Sequence, residues 1–233
     1  MQHLIKQIPS SIKLFFHSLT QMIFGTSFRS IYLTILVLPL AFNHCDPKQV
    51  NLQEHLVSLG SSEKLSLNHK RFNDSLSIIS SVPQLTEIEL NYDAIQTIPE
   101  EWGNLKRLKK ISLYGNQLKE LPTSFQNFQD LEILLLGMNP LEKIPHSIQG
   151  LPKLKILSLD ETKLQLTEED VKILASLPSL EILDLSENSS LTKIPENISE
   201  LNFLKSILLK KNKLNEDERK KIFAALPKVH LSK

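Results

Sequence analysis

Leucine returns at a nearly constant interval through most of the chain. It opens six of seven consecutive units that begin at residue 62, and five of those units are 23 or 24 residues long. A period in this range is typical of a solenoid, in which each unit buries its apolar edge against the next. The units are Ser62–Gln84, Leu85–Arg107, Leu108–Asp130, Leu131–Lys153, Leu154–Ser179, Leu180–Phe203 and Leu204–Lys228.

Each unit begins with a stretch in which apolar and polar residues alternate. In the clearest copy, Leu108–Leu113, Ile111 and Leu113 alternate with Lys110 and Ser112. A period of two predicts a short strand with one buried face. One strand per unit gives parallel neighbours about 4.8 Å apart, with the third and fifth positions of every unit pointing outward.

The second half of each unit predicts a return limb of variable structure. Four limbs carry proline after an aliphatic residue, which favours extended or 3₁₀ backbone because proline fixes φ and restricts its predecessor. Thr167–Leu177 starts with a capping residue and acids and then spaces its apolar residues as a helix does. Asn215–Leu226 in the last unit is also predicted to be a helix and to cover that end, and Asn51–Leu59 is predicted to cap the first unit. Val229–Leu231 is a candidate for an eighth strand of uncertain register.

The complete unit resembles the leucine-rich-repeat family. Leu108–Phe128 follows the pattern L-x-x-L-x-L-x-x-N-x-L-x-x-I/L-P-x-x-I/F-x-x-L, and the resemblance covers residues 62–228. It implies an α/β leucine-rich-repeat solenoid (a horseshoe) with a parallel concave sheet and mixed 3₁₀, extended and helical convex limbs. It also implies that stacked asparagines hydrogen-bond the backbone of neighbouring coils. The turn position holds Asn116, Asn139, Asn188 and Asn212, with Lys70, Asp93 and Thr162 as poorer substitutes and a looser turn expected at Lys70.

Function in such a fold lies on the outward residues of the concave sheet, and here they form an apolar patch with a polar rim. Ile133, Ile156 and Ile182 share the third position, with Leu135 and Met138 beside them and Tyr92 and Tyr114 on one side. Asp160, Glu161, Asp184 and Glu187 form an acidic margin. This composition favours a protein-binding surface. Two plainer interpretations stay open: the isoleucines merely suit strands, and the acids are a solvated rim rather than a site for a cation or a basic segment.

Charge and residue content exclude several other functions. The net charge is +1, which gives no general attraction for nucleic acid. Cys45 is the only cysteine, and the seven histidines are scattered without metal-ligand spacing. We therefore expect no enzymatic activity, no metal, no cofactor and no nucleic acid as a partner. The expected partner is a protein, and the chain is expected to be a monomer.

The residues before the repeats indicate export. Ile31–Phe42 is a run of twelve residues, nearly all apolar, preceded by Arg29. This is too short to span a bilayer and fits the core of a signal peptide. Cys45 follows, at a position that resembles the lipidated cysteine of bacterial lipoproteins, although Phe42, Asn43 and His44 stand where small residues are usual. Met1 and Met22 are alternative translation starts.

The sequence thus predicts four segments and one leading function. Residues 1–44 are a leader, 45–61 a linker with a capping helix, 62–228 seven repeats and 229–233 the C-terminal end. The predicted function is a non-catalytic protein-binding module of the bacterial cell envelope, anchored to the membrane through a lipid at Cys45 or secreted. An uncleaved anchor and a cytoplasmic location stay open. The alternative function is an intracellular scaffold resembling the Ras-associated leucine-rich-repeat proteins.

Overall fold

The repeats form a parallel sheet of eight short strands, each contributed by one coil of the chain. The structure is a computed structural model that describes residues 49–72 and 74–232. The sheet contains β2 (Lys64–Ser66), β4 (Glu87–Glu89), β5 (Lys110–Ser112), β6 (Ile133–Leu135), β7 (Ile156–Ser158), β8 (Ile182–Asp184), β9 (Ser206–Leu208) and β10 (His230–Ser232). These strands lie side by side in chain order. A separate pair, β1 (Gln49–Val50) and β3 (Arg71–Phe72), is also parallel.

The register of the sheet confirms the predicted alternation of inward and outward positions. Ile133 pairs with Ile156 and Ile156 pairs with Ile182, so the third positions form one continuous row. Their chain neighbours Leu134, Leu157 and Leu183 are completely buried. The core is therefore a stack of aliphatic layers between the sheet and the return limbs, and the isoleucines of the row are not part of it.

The return limbs vary as proline and capping residues predict. Short 3₁₀ segments begin directly after the four limb prolines, at Glu100–Asn104, Thr123–Asn127, His146–Ile148 and Glu196–Leu201, and Leu76–Ser81 is a fifth. The two longest units instead carry helices, α2 (Glu168–Ala175) and α3 (Glu216–Ala225). In α2, Thr167 and Asp170 form a reciprocal capping box. The prediction of mixed convex limbs is confirmed.

Asparagines in the turns connect each coil to its neighbours, as the resemblance implies. The Asn116 side chain donates to the carbonyls of Leu90 (2.7 Å) and Leu113 (2.9 Å), and its oxygen accepts from the amides of Asp93 and Ile95, both at 3.0 Å. The backbone groups of the turn are thereby satisfied without water. In the first unit, Lys70 stands at the turn position in place of asparagine, and its amide donates to the Asp93 carboxylate at 2.6 Å.

The N-terminal end of the solenoid is covered by a helix, and the C-terminal end carries a helix followed by an eighth strand of the sheet. Helix α1 (Leu52–Ser58) buries Leu52 and Leu56 against the first coil. At the other end the expected cap, α3, packs against the 3₁₀ segment Glu196–Leu201 on the convex side. Strand β10 lies beyond it as the last strand of the sheet, with Leu231 in register with Ile207. The candidate eighth strand is therefore confirmed at His230–Ser232, and the sheet continues one strand beyond the coil that carries α3.

The leader lies outside the described residues, and so do Arg29, Cys45 and the alternative start Met22. The assignment of residues 1–44 as a leader and of Cys45 as a lipid attachment site stays a prediction. In the part of the chain that the structure describes, no helix combines the length and the apolar character needed to cross a bilayer.

Candidate functional site

An aliphatic ridge crosses the middle of the outer sheet face. We use this name for Ile133, Ile156 and Ile182, which are adjacent in register and only partly buried. Leu135, two residues after Ile133 on β6, is also partly buried, and Met138 in the following turn is 45% exposed. The structure thus places these predicted site residues on one face, where their apolar atoms contact solvent.

Charged side chains on the N-terminal side of the ridge neutralise one another. Lys64 contacts Glu87 at 3.4 Å and Glu89 at 3.0 Å, and Lys110 contacts Glu89 at 2.6 Å. The hydrogen bond from Lys110, together with Lys64, holds the pKa of Glu89 at about 2. Two lysines thus match two glutamates, and this part of the face offers little net charge to a partner.

Tyr92 and Tyr114 form an aromatic step that the sequence pattern only partly indicated. The ring of Tyr92 stacks on His69 with a centroid distance of 4.7 Å and meets Tyr114 edge to face at 5.6 Å. Tyr92 stays 43% exposed. His69 was not among the predicted site residues, although it shares the eighth position of the repeat with Tyr92. This shared position is the feature of the sequence from which His69 could have been predicted as a neighbour of Tyr92.

Two glycines allow the aromatic step and the acidic margin to come together. A Cβ on Gly115 would lie 2.4 Å from the ring of Tyr92, and one on Gly137 would lie 2.6 Å from the ring of Tyr114 and 2.3 Å from the carboxylate of Asp160. The absence of a Cβ therefore lets both rings lie close against the turns. Burial, and then the charges of Asp160 and Glu161, raise the pKa of the Tyr114 hydroxyl above its usual value.

The four acids of the margin differ in their contacts. We use the name acidic margin for Asp160, Glu161, Asp184 and Glu187. Asp160 accepts a hydrogen bond from the Ser158 hydroxyl, and Asp184 accepts one from the Ser186 amide at 2.9 Å. Glu187 pairs with Lys211 at 2.8 Å. Among the described residues, no lysine or arginine forms an ion pair with the other three acids.

The eighth position of the repeat has a backbone conformation that the sequence did not indicate. Every coil has a positive φ there, between 51° and 68°. Glycine occupies only one of these positions, and the others are His69, Tyr92, Met138, Glu161, Glu187 and Lys211. The backbone of this row thus projects several predicted site residues from the rim of the face.

The described residues include no candidate metal site. No group of three or more histidine, cysteine, aspartate or glutamate side chains within residues 49–72 and 74–232 could hold a metal ion.

The repeats match known family models in two places. Residues 83–141 match the model described as "Leucine rich repeat", and residues 179–201 match a second model with the same description. These coils are leucine-rich repeats. Leucine-rich-repeat domains are commonly protein-binding modules and are typically non-catalytic.

Solved leucine-rich-repeat structures share the fold of this chain. The internalin InlF of Listeria monocytogenes is 23% identical, with a TM-score of 0.60, over 76% of this chain and 49% of that one. The leucine-rich-repeat domain of the type III effector XopL is 23% identical, with a TM-score of 0.58, over 73% and 60%. The PEPR1–AtPEP1 structure is 21% identical, with a TM-score of 0.57, over 76% and 25%. No curated protein matches the chain significantly.

The comparisons support the solenoid fold and leave the individual site residues untested. The chain spans between a quarter and 60% of the length of these three structures. The fold prediction is confirmed, whereas the assignment of the aliphatic ridge, the tyrosines and the acidic margin as a binding surface stays a prediction.

Proposed function

We propose that the protein is a non-catalytic binding module whose outer sheet face receives a protein partner. The observation that carries the proposal is the aliphatic ridge: three isoleucines adjacent in register, partly exposed, and not needed by the core beneath them. Exposed apolar surface with tyrosines beside it and polar residues around it is characteristic of protein interfaces. Chains of the same fold, such as PEPR1 in its structure with AtPEP1, support a protein or peptide as the partner.

A glutamate placed in the ridge tests this function. Ile156→Glu should leave the circular-dichroism spectrum unchanged, because the side chain points away from the core, and should abolish capture of the partner. The matched control is Val57→Glu on α1, where the side chain is 75% exposed and lies off the sheet. Proteins captured from the envelope fraction by the full chain are compared between the variants by mass spectrometry. Equal capture by the wild-type chain and Ile156→Glu, or an equal loss with Val57→Glu, would show that the ridge is not the site.

We further propose that the protein is exported and held at the bacterial envelope by a lipid on Cys45. The support is the short apolar run Ile31–Phe42, the basic residue Arg29 before it, and the cysteine three residues after it. Soluble secretion, an uncleaved N-terminal anchor and an intracellular scaffold are the other outcomes that a test of location distinguishes.

Metabolic labelling with palmitate tests the anchor. The wild-type chain should be labelled and should accumulate as a larger precursor when globomycin blocks lipoprotein processing. Cys45→Ala should lose the label while the sheet domain keeps its circular-dichroism spectrum. An unlabelled wild-type chain in a host that labels its own lipoproteins would exclude the lipid anchor, and fractionation would then separate the secreted from the cytoplasmic alternative.

A further inference from the structure

We propose that the partner contributes a positively charged, extended peptide segment, with an aliphatic side chain on the aliphatic ridge and a lysine or arginine at the acidic margin. The inference rests on the proposed function and adds the chemistry of the occupant. It follows from the distribution of charge on the sheet face, from the spacing of the two surfaces, and from the aromatic step next to the margin.

Among the described residues of the outer face, the carboxylates without an ion pair lie in the acidic margin. On the N-terminal side, Glu89 is already held between Lys64 and Lys110. On the other side, the four carboxylates of the acidic margin have one described ion pair, between Glu187 and Lys211, and that lysine is largely exposed. An incoming cation gains attraction at the margin without first breaking an existing ion pair, whereas an anion is repelled there.

The ridge and the margin are close enough for one short segment to contact both. Asp184 follows Ile182 by two residues on β8, and Asp160 follows Ile156 by four residues along β7 and its turn. At about 3.3 Å per residue, Ile182 and Asp184 are about 7 Å apart along β8, and because this interval is even their side chains share the outer face. The interval from Ile156 to Asp160 continues past the end of β7 at Ser158 into the turn. A segment of about three extended residues spans the distance from Ile182 to Asp184.

The aromatic step provides a second kind of contact for a cation at the same place. Gly137 lets the ring of Tyr114 and the carboxylate of Asp160 converge on one turn. Tyr92 stands edge to face with Tyr114 and is partly exposed. An ammonium or guanidinium group near a tyrosine ring is attracted by its π-electrons, and the neighbouring carboxylate adds to that attraction. Neutral or acidic segments gain neither contact.

Three pools of fluorescent twelve-residue peptides with equal leucine and isoleucine content test the inference. Four further positions carry Lys or Arg in the first pool, Gln or Asn in the second, and Asp or Glu in the third. The full chain should retain at least about tenfold more of the cationic pool than of the acidic pool. Glu161→Gln with Asp184→Asn should lower retention of the cationic pool about tenfold, as two weak surface ion pairs are lost.

The control pair is Glu120→Gln with Glu142→Gln, which changes the net charge equally at exposed positions outside the strands. It should leave retention unchanged, so an equal loss with this pair would overturn the inference. Preference for the neutral or acidic pool, or no binding by any pool, would also overturn it. If a neutral pool binds and Ile156→Ser abolishes its binding, the proposed function stands and only the charge of the occupant is wrong.

Discussion

Asp93 occupies the turn position that asparagine fills in four other coils. We expect Asp93→Asn to stabilise the protein at alkaline pH. One carboxylate oxygen of Asp93 accepts from the Lys70 amide at 2.6 Å, as the Asn116 oxygen accepts from the amide of Asp93 itself at 3.0 Å. The other oxygen is buried and has no hydrogen-bond partner. It occupies the place of the asparagine nitrogen, which in Asn116 donates to the carbonyls of Leu90 and Leu113.

If the hydrogen bonds of Asn116 are transferred to the preceding coil, the carboxylate of Asp93 stands next to two backbone carbonyls. Both carbonyls are acceptors, whereas the carboxylate needs donors. Asn116 binds the carbonyls 3 and 26 residues before it, and the same offsets from Asp93 lead to Leu90 and Leu67. A carboxylate offers these carbonyls no proton. Asp93 is only 6% exposed, so water does not compensate. Burial raises the pKa of its carboxyl from 3.8 to about 7, against the opposing hydrogen bond and charge of Lys70.

The direction of the pH dependence follows from proton binding. Above about pH 4 the unfolded chain loses the Asp93 proton, while the folded protein keeps it up to about pH 7. The folded state therefore binds more protons in this interval, and the free energy of unfolding falls as the pH rises through it. At 1.36 kcal/mol per pH unit the loss is about 4 kcal/mol. Asp93→Asn removes this loss and restores hydrogen bonds worth about 1 kcal/mol each, so the expected gain is about 4–6 kcal/mol at pH 8.

Urea unfolding followed by circular dichroism at pH 5, 6, 7 and 8 measures the difference between Asp93→Asn and the wild-type protein. The difference should be smallest at pH 5, grow up to about pH 7 and level off by pH 8. Glu101→Gln, an exposed carboxylate in the same coil, makes the same charge change and should show no such growth. A variant that is less stable at pH 8, or a difference that is constant with pH, would refute the assignment of Asp93 as a buried carboxyl that lacks a donor.

Two further predictions address the core and the aromatic step. Leu157→Ala should lower the free energy of unfolding by about 2–5 kcal/mol, because Leu157 is completely buried; Ile156→Ala should cost clearly less in the same urea titration, and equal losses would contradict the assignment of the two faces. Gly115→Ala should displace the Tyr92 ring, since the new Cβ would lie 2.4 Å from it. Nuclear Overhauser contacts between Tyr92 and His69 should disappear, and their persistence would contradict the packing described.

The register of the sheet could be predicted from the sequence because two simple periods determine it. The period of two within a strand fixes which face each residue takes, and the constant unit length aligns equivalent residues in adjacent coils. Ile133, Ile156 and Ile182 could therefore be placed in one row before any coordinates. Helix α2 was predictable for another local reason, since Thr167 and Asp170 form a capping box.

Side-chain contacts between neighbouring coils could not be predicted from the sequence where they depend on the conformation of a turn. The repeat pattern does not indicate that tyrosine rings lie over Gly115 and Gly137. It also assigned Ser112 to the outer face, but that side chain is only 5% exposed and its hydroxyl donates to Asn91 at 2.7 Å. Such contacts are set by neighbours one full coil away, which a local pattern does not describe.

The eighth position of the repeat connects the stability of the solenoid to its exposed surface. Each coil turns there with a positive φ, and in most coils the amide of that residue donates to a backbone carbonyl of the next coil, as from Met138 to Asp160 (2.8 Å) and from Glu161 to Ser186 (2.9 Å). A non-glycine residue in this conformation costs about 1–2 kcal/mol. Glycine would remove the cost in every coil, yet only Gly115 does so, and there the Tyr92 ring occupies the space a side chain would take. The strained side chains elsewhere in the row include Met138 and Glu161, both at the rim of the proposed binding face. The fold thus gives up some stability at positions on the rim of the proposed binding face.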